Sequence, residues 1–350
     1  MRKHNKACER HPAETIGIDL GDKMSRYVIL NEEGLAVEEG SFRNHVDSIA
    51  KHFGNRGRAR VALEVGTQSA WIAREFTKLG HEVIVANARE LKWISSSDDK
   101  NDRNDARKLA RLARADRNLL APVEHRTAEQ QGELAVIRAR DALVRSRTLL
   151  VNTARSLAKG FGLRLPASIT STFGARALAG LAEHLRAALG GLLEQIDALG
   201  VKIRDYDERI GELAARHPEV ERLASVPGVG TLTAATFVWT LGRRERFAHS
   251  RDVGSFLGLR PRQRQSGERD PQLGISKSGD QYLRKLLVQC AHHILGHWGK
   301  DSALRQWGLS KSDGSAAKKR AVVAVARKLA VLLHRMWTTG EDFKPFPKMR

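Results

Sequence analysis

The chain has 350 residues, with 60 Lys plus Arg against 40 Asp plus Glu, a net charge of +20. Such a surplus points to a polyanionic partner, nucleic acid first, while two distant cysteines, Cys8 and Cys290, frame neither a disulfide scaffold nor a Cys-based metal site. No apolar run reaches the roughly 18 residues of a membrane span and the basic start lacks the apolar block of a secretory signal, so a soluble, cytoplasmic protein without a membrane partner is expected.

After a basic tail, Thr15-Ile16-Gly17-Ile18-Asp19-Leu20-Gly21 reads as a buried strand ending in a glycine turn. Ser25 to Leu30 and Leu35 to Phe42 complete a three-stranded meander, and Val46, Ile49 and Phe53 recur at helical spacing. Val61 to Gly66 is a short apolar strand with one acid, Glu64, embedded in it. A helix from about Ala70 to Leu79 leads to a strand from Glu82 to Ala86. The next helix opens on Lys100-Asn101-Asp102-Arg103-Asn104-Asp105-Ala106. A spacing of three brings Asp102 and Asp105 to one helix face, close enough to hold hard cations together, although acids are also favoured in any helix's first turn. The order of strands and helices matches a ribonuclease-H-like layout, in which acids of the first and fourth strands stand beside those of a late helix. Gly-Ile-Asp-Leu-Gly also opens actin-like ATPases and sugar kinases, but no second half with its own phosphate loop follows residue 120, and there is no Gly-x-x-x-x-Gly-Lys loop.

From about Glu124 to Leu213 long helices are expected. Val136, Leu143, Leu150 and Leu157 suggest one apolar seam, and Leu185, Leu189, Leu192, Ile196, Leu199, Ile203, Tyr206, Ile210 and Leu213 a second with steps of four and three. Gly160, Gly162 and Pro166 break the helix between them, so the arms fold back as an antiparallel pair. A seam that long either stays within the chain or reaches a second subunit, and the second is favoured because exposed apolar surface invites association.

Next, Val226-Pro227-Gly228-Val229-Gly230-Thr231 lies between a short helix and a helix from Leu232 to Leu241. A turn of this kind is how helix-hairpin-helix modules offer backbone N–H groups to a DNA phosphate, which makes Gly228 and Gly230 nucleic-acid candidates; the alternative is a plain tight turn. From Arg243 to Lys285 eleven Lys or Arg face five acids. Arg260, Arg262 and Arg264 alternate along a loop, with Lys277, Arg284 and Lys285 beyond it before and on a helix from Gln281 to Leu295. Arginine suits bidentate phosphate contact. A last basic helix, roughly Ala316 to Trp337, adds Lys318, Lys319, Arg320, Arg327, Lys328 and Arg335 as backbone contacts. His292, His293 and His297 lack a carboxylate or cysteine at ligand spacing and read as packing or solvent-edge groups.

Taken in order, these motifs resemble the DEDD transposases of bacterial insertion sequences, the one-ten family, which includes the Piv-type DNA invertases. Asp19, Glu64, Asp102 and Asp105 match the family's four acids in type, order and context. Pro-Gly-Val-Gly at 227–230, Gly-Leu-Arg-Pro-Arg at 258–262, Gln-Ser-Gly at 265–267 and Ile-Ser-Lys-Ser-Gly at 275–279 look like its second conserved domain. The resemblance implies an α/β plus α fold: a ribonuclease-H-like (RuvC-like) mixed-sheet nuclease domain over 14–120 after a basic tail over 1–13, a coiled-coil region over 121–215 for oligomerisation, a mainly helical, serine-bearing transposase domain over 216–300, and a basic helix and tail over 301–350.

Four clustered carboxylates cannot all ionise in isolation and are expected to share divalent cations, two Mg2+. The resemblance further implies a serine that attacks the phosphodiester and forms a covalent link, and Ser266 is the residue that matches, with Ser276 and Ser278 as alternatives. A serine needs a base or a metal to shed its proton, and no partner is fixed by spacing. The expectation is activation by the carboxylate-held metal of the same or another subunit, with Arg262 and Arg264 holding the phosphate. The implied partners are double-stranded DNA of the element ends and target, a structured non-coding guide RNA, and further copies of the chain in a dimer or tetramer, at a nucleoid-associated location. Two alternatives remain: a metal-dependent hydrolytic nuclease or junction resolvase without a covalent intermediate, and a non-catalytic DNA-binding protein.

Overall fold

The computed structural model describes residues 12–87, 102–167, 172–264, 271, 273–312 and 314–347, without side-chain detail at 102, 103 and 315–317. The chain divides into two compact units, one ending at Ala128 and one beginning at Glu129.

The first unit is built on a five-stranded mixed sheet. Its strands are β1 (Thr15–Asp19), β2 (Met24–Leu30), β3 (Ala36–Arg43), β4 (Arg60–Glu64) and β5 (Glu82–Ala86), in the order β3-β2-β1-β4-β5. β1 pairs antiparallel with β2 and parallel with β4, and β4 pairs parallel with β5. This is consistent with the expected ribonuclease-H-like sheet.

Alternation along the strands separates two faces. Ile16 and Ile18 of β1, Val61 and Leu63 of β4, and Val85 of β5 point to a core shared with Phe53 of α1 (Val46–Phe53) and Phe76 of α2 (Ser69–Lys78). On the other face Val28, Leu30, Ala62, Ile84 and Ala86 meet the small residues Ala106, Ala110 and Ala113 of α3 (Asp102–Ala115). That helix lies close on the sheet because β1 carries Gly17 beneath it. A Cβ there would overlap the carbonyl oxygen of Ala106 and come within 2.5 Å of the Ala110 nitrogen.

The second unit is helical. Its elements are α4 (Ala128–Gly160), α5 (Phe173–Ala179), α6 (Glu183–Ala214), α7 (Pro218–Ala224), α8 (Thr231–Leu241), α9 (Ser250–Phe256), α10 (Gln281–Leu295), α11 (Ala303–Leu309) and α12 (Ser315–Thr339). The main core gathers Ile137 of α4, Ile210 of α6, Trp239 and Phe237 of α8, Leu287 of α10 and Leu329 of α12. No helix among the described residues is long and apolar enough to cross a membrane.

α4 and α6 run antiparallel, as Ile137 shares a cluster with Ile210 and Ala214 while Ala154 and Ala158 share one with Leu185 and Leu189. Between the two clusters Arg140 pairs with Asp207. On α6 Leu185, Leu189, Ile196, Leu199, Ile203 and Ile210 are buried as expected, whereas Leu193 and Ala214 are buried in place of Leu192 and Leu213, and Tyr206 is half-buried. The α4 seam differs. Ile137, Val151, Ala154 and Ala158 are buried, whereas Leu157 is 47% exposed. The α6 leucines are covered by α4 and α5 of the same chain. Exposed apolar surface on that seam therefore gives no reason to invoke a second subunit. Three short helices, α5, α9 and α11, were not expected from periodicity.

Candidate active site and nucleic-acid interface

Three of the four sequence-selected acids, Asp19, Glu64 and Asp105, lie towards the same end of the sheet, at the C-terminal ends of β1 and β4. Asp19 ends β1 and Glu64 ends β4, each directly after the last paired residues of those parallel neighbours, Ile18 and Leu63. By alternation both share the face of Gly17 and Ala62, the face that α3 covers. α3 runs opposite to β1. Near its C-terminal end the Ala113 carbonyl accepts from Arg60 Nη1 (3.2 Å) at the start of β4, and Arg114 lies beside Gly34 in the turn after β2. Its first turn, with Asp102 and Asp105, is thereby brought to the end of the sheet where Asp19 and Glu64 stand.

Asp105 is adjacent to the Ala106 carbonyl over Gly17, its side chain 15% exposed and 3.5 Å from Lys108 Nζ. Asp19 and Glu64 are half-buried. The Asp102 side chain lies outside the described residues. An all-carboxylate donor set facing partly into solvent suits a hard, oxygen-seeking divalent ion. Among the described residues no three His, Cys, Asp or Glu side chains converge tightly enough to hold one. The fit to Mg2+ is one of donor chemistry and of a shared end of the sheet.

In the second unit the arginine loop is a small antiparallel hairpin. Pro261 bridges Ile275, Arg262 N–H donates to the Gly274 carbonyl (3.0 Å), and Ser276 N–H donates to the Arg260 carbonyl (2.9 Å). Two glycines fix its base. Gly258 (φ +69°) and Gly279 (φ +77°) are left-handed, and a Cβ on either would overlap backbone, of Ser278 and of Phe256 respectively. Arg284 Nη1 donates to the Leu257 and Ser278 carbonyls (2.9 and 2.8 Å), tying α10 to the same base. The expected nucleophile, Ser266, falls in the connection of this hairpin, outside the described residues. The alternatives Ser276 and Ser278 are hydrogen-bonded to each other through their hydroxyls (2.9 Å).

A family model described as Transposase IS116/IS110/IS902 matches residues 220–307, and a DEDD transposase model matches residues 16–162. The transposase for insertion sequence element IS1111A of Coxiella burnetii is 32% identical over 81% of this chain and 79% of its own length. The chain belongs to the IS116/IS110/IS902 transposase family. The transposase for insertion sequence element IS1328 of Yersinia enterocolitica is 30% identical over 81% of this chain and 85% of its own. A pilin gene-inverting protein of Moraxella bovis is 28% identical over 40% of this chain and 45% of its own. Both matched ranges coincide with a structural centre: 16–162 spans the acidic end of the sheet, and 220–307 the hairpin.

The other sequence-selected positions of this transposase fall into two groups. Arg260, Arg262, Arg264 and Lys277 are exposed along the hairpin, as is Lys285 on α10, although Lys285 also lies over the Tyr282 ring (5.9 Å). Lys277 adopts φ +56°, a conformation costly for a residue with a side chain, and its N–H donates to the Gly258 carbonyl (3.1 Å). Arg284 is committed in part to its own backbone, as described. Gly228 (φ +88°) is packed on α10 beside Ile294 and His293, while Gly230 is exposed at the start of α8. A turn joins α7 to α8 here, and Gly228, at positive φ, is required by the turn itself.

Sequence reasoning missed a wide groove in the second unit, of about 1410 Å3, bounded by the hairpin, α11, α12 and the segment after it. One face of α12, with Arg320, Val323, Arg327, Val331 and Arg335, forms a wall. The signal was available in that spacing of three and four, which alternates cation and valine on a single helical face. Trp307 and Phe343, which share the groove, come from segments with no such pattern.

Proposed function

We propose that this transposase cuts and rejoins DNA with the carboxylates of Asp19, Glu64, Asp102 and Asp105 in its first unit and a serine nucleophile, Ser266, in its second. The observation that carries the reading is the shared end of the sheet: acids from two adjacent parallel strands and from the first turn of the helix on the same face, within a chain of this family. The four carboxylates would hold Mg2+, which when bound orients the scissile phosphate and stabilises the attacking and leaving oxygens of an in-line displacement.

The chain's own groups do the rest. Attack by the Ser266 hydroxyl on phosphorus forms a phosphoserine ester and releases the DNA 3′ or 5′ oxygen, which takes up a proton. Reversal by the hydroxyl of a new strand restores the serine and conserves the bond. Exposed Arg260, Arg262 and Arg264 grip the phosphates flanking that bond, and Lys277, beside the hairpin base, adds charge. Gly230, exposed at the start of α8, offers backbone N–H groups to a phosphate.

The resemblance adds a structured non-coding guide RNA for specificity and assembly into a dimer or tetramer. A net charge of +20 with only 5% aromatic residues is in keeping with extensive backbone contact to duplex or A-form partners. Ser266→Ala is expected to abolish the protein–DNA adduct and retain DNA binding; persistence of the adduct would move the role to Ser276 or Ser278. Products with free ends and no adduct in the wild type would instead indicate a hydrolytic nuclease.

A further inference from the structure

The groove of the second unit shares Arg262 and Lys277 with the hairpin, while its α11 and α12 walls and the segment after them have no task in the chemistry above. Its rim carries eight Lys or Arg, among them Arg262, Lys277, Arg320, Arg327 and Lys344, and no Asp or Glu among its described lining residues. Its floor is apolar. Ile275, Leu304, Trp307, Val323, Leu332 and Phe343 rest on the main core with one side and face the groove with the other. The α12 wall lies beyond residue 307, where the family match ends.

We propose that this groove binds an unpaired stretch of nucleic acid a few nucleotides long, with its phosphates on the basic rim and its bases against the apolar floor. The choice follows from what each polyanion offers. A duplex keeps its base faces stacked inside and presents phosphates only, so it can satisfy the rim and leaves the floor wet. An unpaired strand presents charge and flat apolar faces together, which is the combination that single-strand sites use. An acidic peptide supplies the charge without a flat face per residue.

Among the described residues Lys328, which lines the groove, is paired with no acid. Lys328 Nζ lies 3.8 Å from the centre of the Trp307 ring, and its pKa is lowered by burial and then by the nearby Lys311. An ammonium group held beside another cation and partly withdrawn from water is relieved by an incoming anion. Pro261, Arg262, Gln263 and Lys277 line the groove from the two hairpin segments that flank Ser266 in the sequence. The inference therefore rests on the reading that the second unit acts on DNA, and gives that hairpin a strand to act beside.

The test uses full-length Ser266→Ala protein, so that binding is read without cleavage. Anisotropy is measured with a labelled ten-nucleotide oligo(dT) and with a duplex of the same length. The double substitution Arg320→Glu and Lys344→Glu, both at exposed positions, is expected to weaken oligo(dT) binding at least tenfold and to flatten its salt dependence by about 0.7 for each phosphate no longer held. Duplex binding should change less than threefold, and Lys202→Glu, on α6, should change neither. Trp307→Leu, which keeps apolar bulk and removes the ring, should weaken oligo(dT) alone. Equal loss for duplex and single strand, displacement by polyglutamate as effective as by unlabelled oligo(dT), or duplex binding without any oligo(dT) binding would each overturn the groove assignment and leave the acids and serine standing. Failure to bind either nucleic acid would overturn both.

Discussion

At the scale of single residues the acidic end of the sheet depends on a glycine. Asp19 and Glu64 were legible as acids in apolar strands, where a carboxylate has no packing reason to be. Asp105 was legible as the second acid at helical spacing. The role of Gly17 was not, because a five-residue strand does not reveal that a helix some ninety residues later will lie on it. Gly17→Ala should lift α3 from β1, costing about 1–3 kcal/mol as overpacking does, and should reduce DNA cleavage by more than the loss of folded protein accounts for. Urea unfolding and cleavage assayed on the same preparation check both; an unchanged unfolding midpoint would show that the close approach is relaxed. Gly279→Ala is the counterpart in the hairpin. A left-handed residue facing the Phe256 carbonyl leaves no room for a methyl group, so this variant should lose stability and adduct formation together.

At the scale of elements, β2, β3 and the residues after α1 are joined by a polar network with a pH signature. Tyr27 Oη donates to Glu38 (2.7 Å), and Arg56 pairs with both Glu38 and Glu14. Burial, then the bond to Glu38, pushes the Tyr27 pKa up to about 12, while that same bond, followed by Arg56, holds Glu38 below the usual carboxylate range. The raised tyrosine contributes stability that is complete below its ordinary value near 10 and lost as pH rises towards 12. The lowered carboxylate contributes stability present above its ordinary range and lost as pH falls through its shifted value. Tyr27→Phe should therefore reduce the alkaline decline in unfolding free energy and weaken the acid one. A profile identical to the wild type above pH 10 would contradict the assignment.

The helical pair shows what periodicity resolves and what it does not. The α6 leucines fall on a single stripe, so their seam was legible. α4 carries leucines on more than one face, with Leu149 65% exposed and Leu157 also out, and only the position of α6 decides which face is covered. Its midsection holds Arg140 paired with Asp207. The short helices α5, α9 and α11 have too few turns to display a period.

At the scale of the whole molecule, two units with separate cores share one strongly basic chain. The charge was legible from composition; the convergence of cations around an apolar-floored groove was not, since it joins residues from 259 to 347. A protein making six to ten phosphate contacts should lose about 10³–10⁵ in DNA affinity between 50 and 200 mM salt; a shallow slope would mean that few of these cations touch the backbone. The most direct measurement incubates purified protein, with any co-purifying RNA, and element-end DNA in Mg2+, then separates the products under denaturing conditions. Protein-linked DNA is expected from the wild type and from neither Asp102→Asn nor Ser266→Ala. Strand cleavage with free ends only, or an adduct that survives either substitution, would contradict the pairing of a carboxylate-held metal with a serine nucleophile.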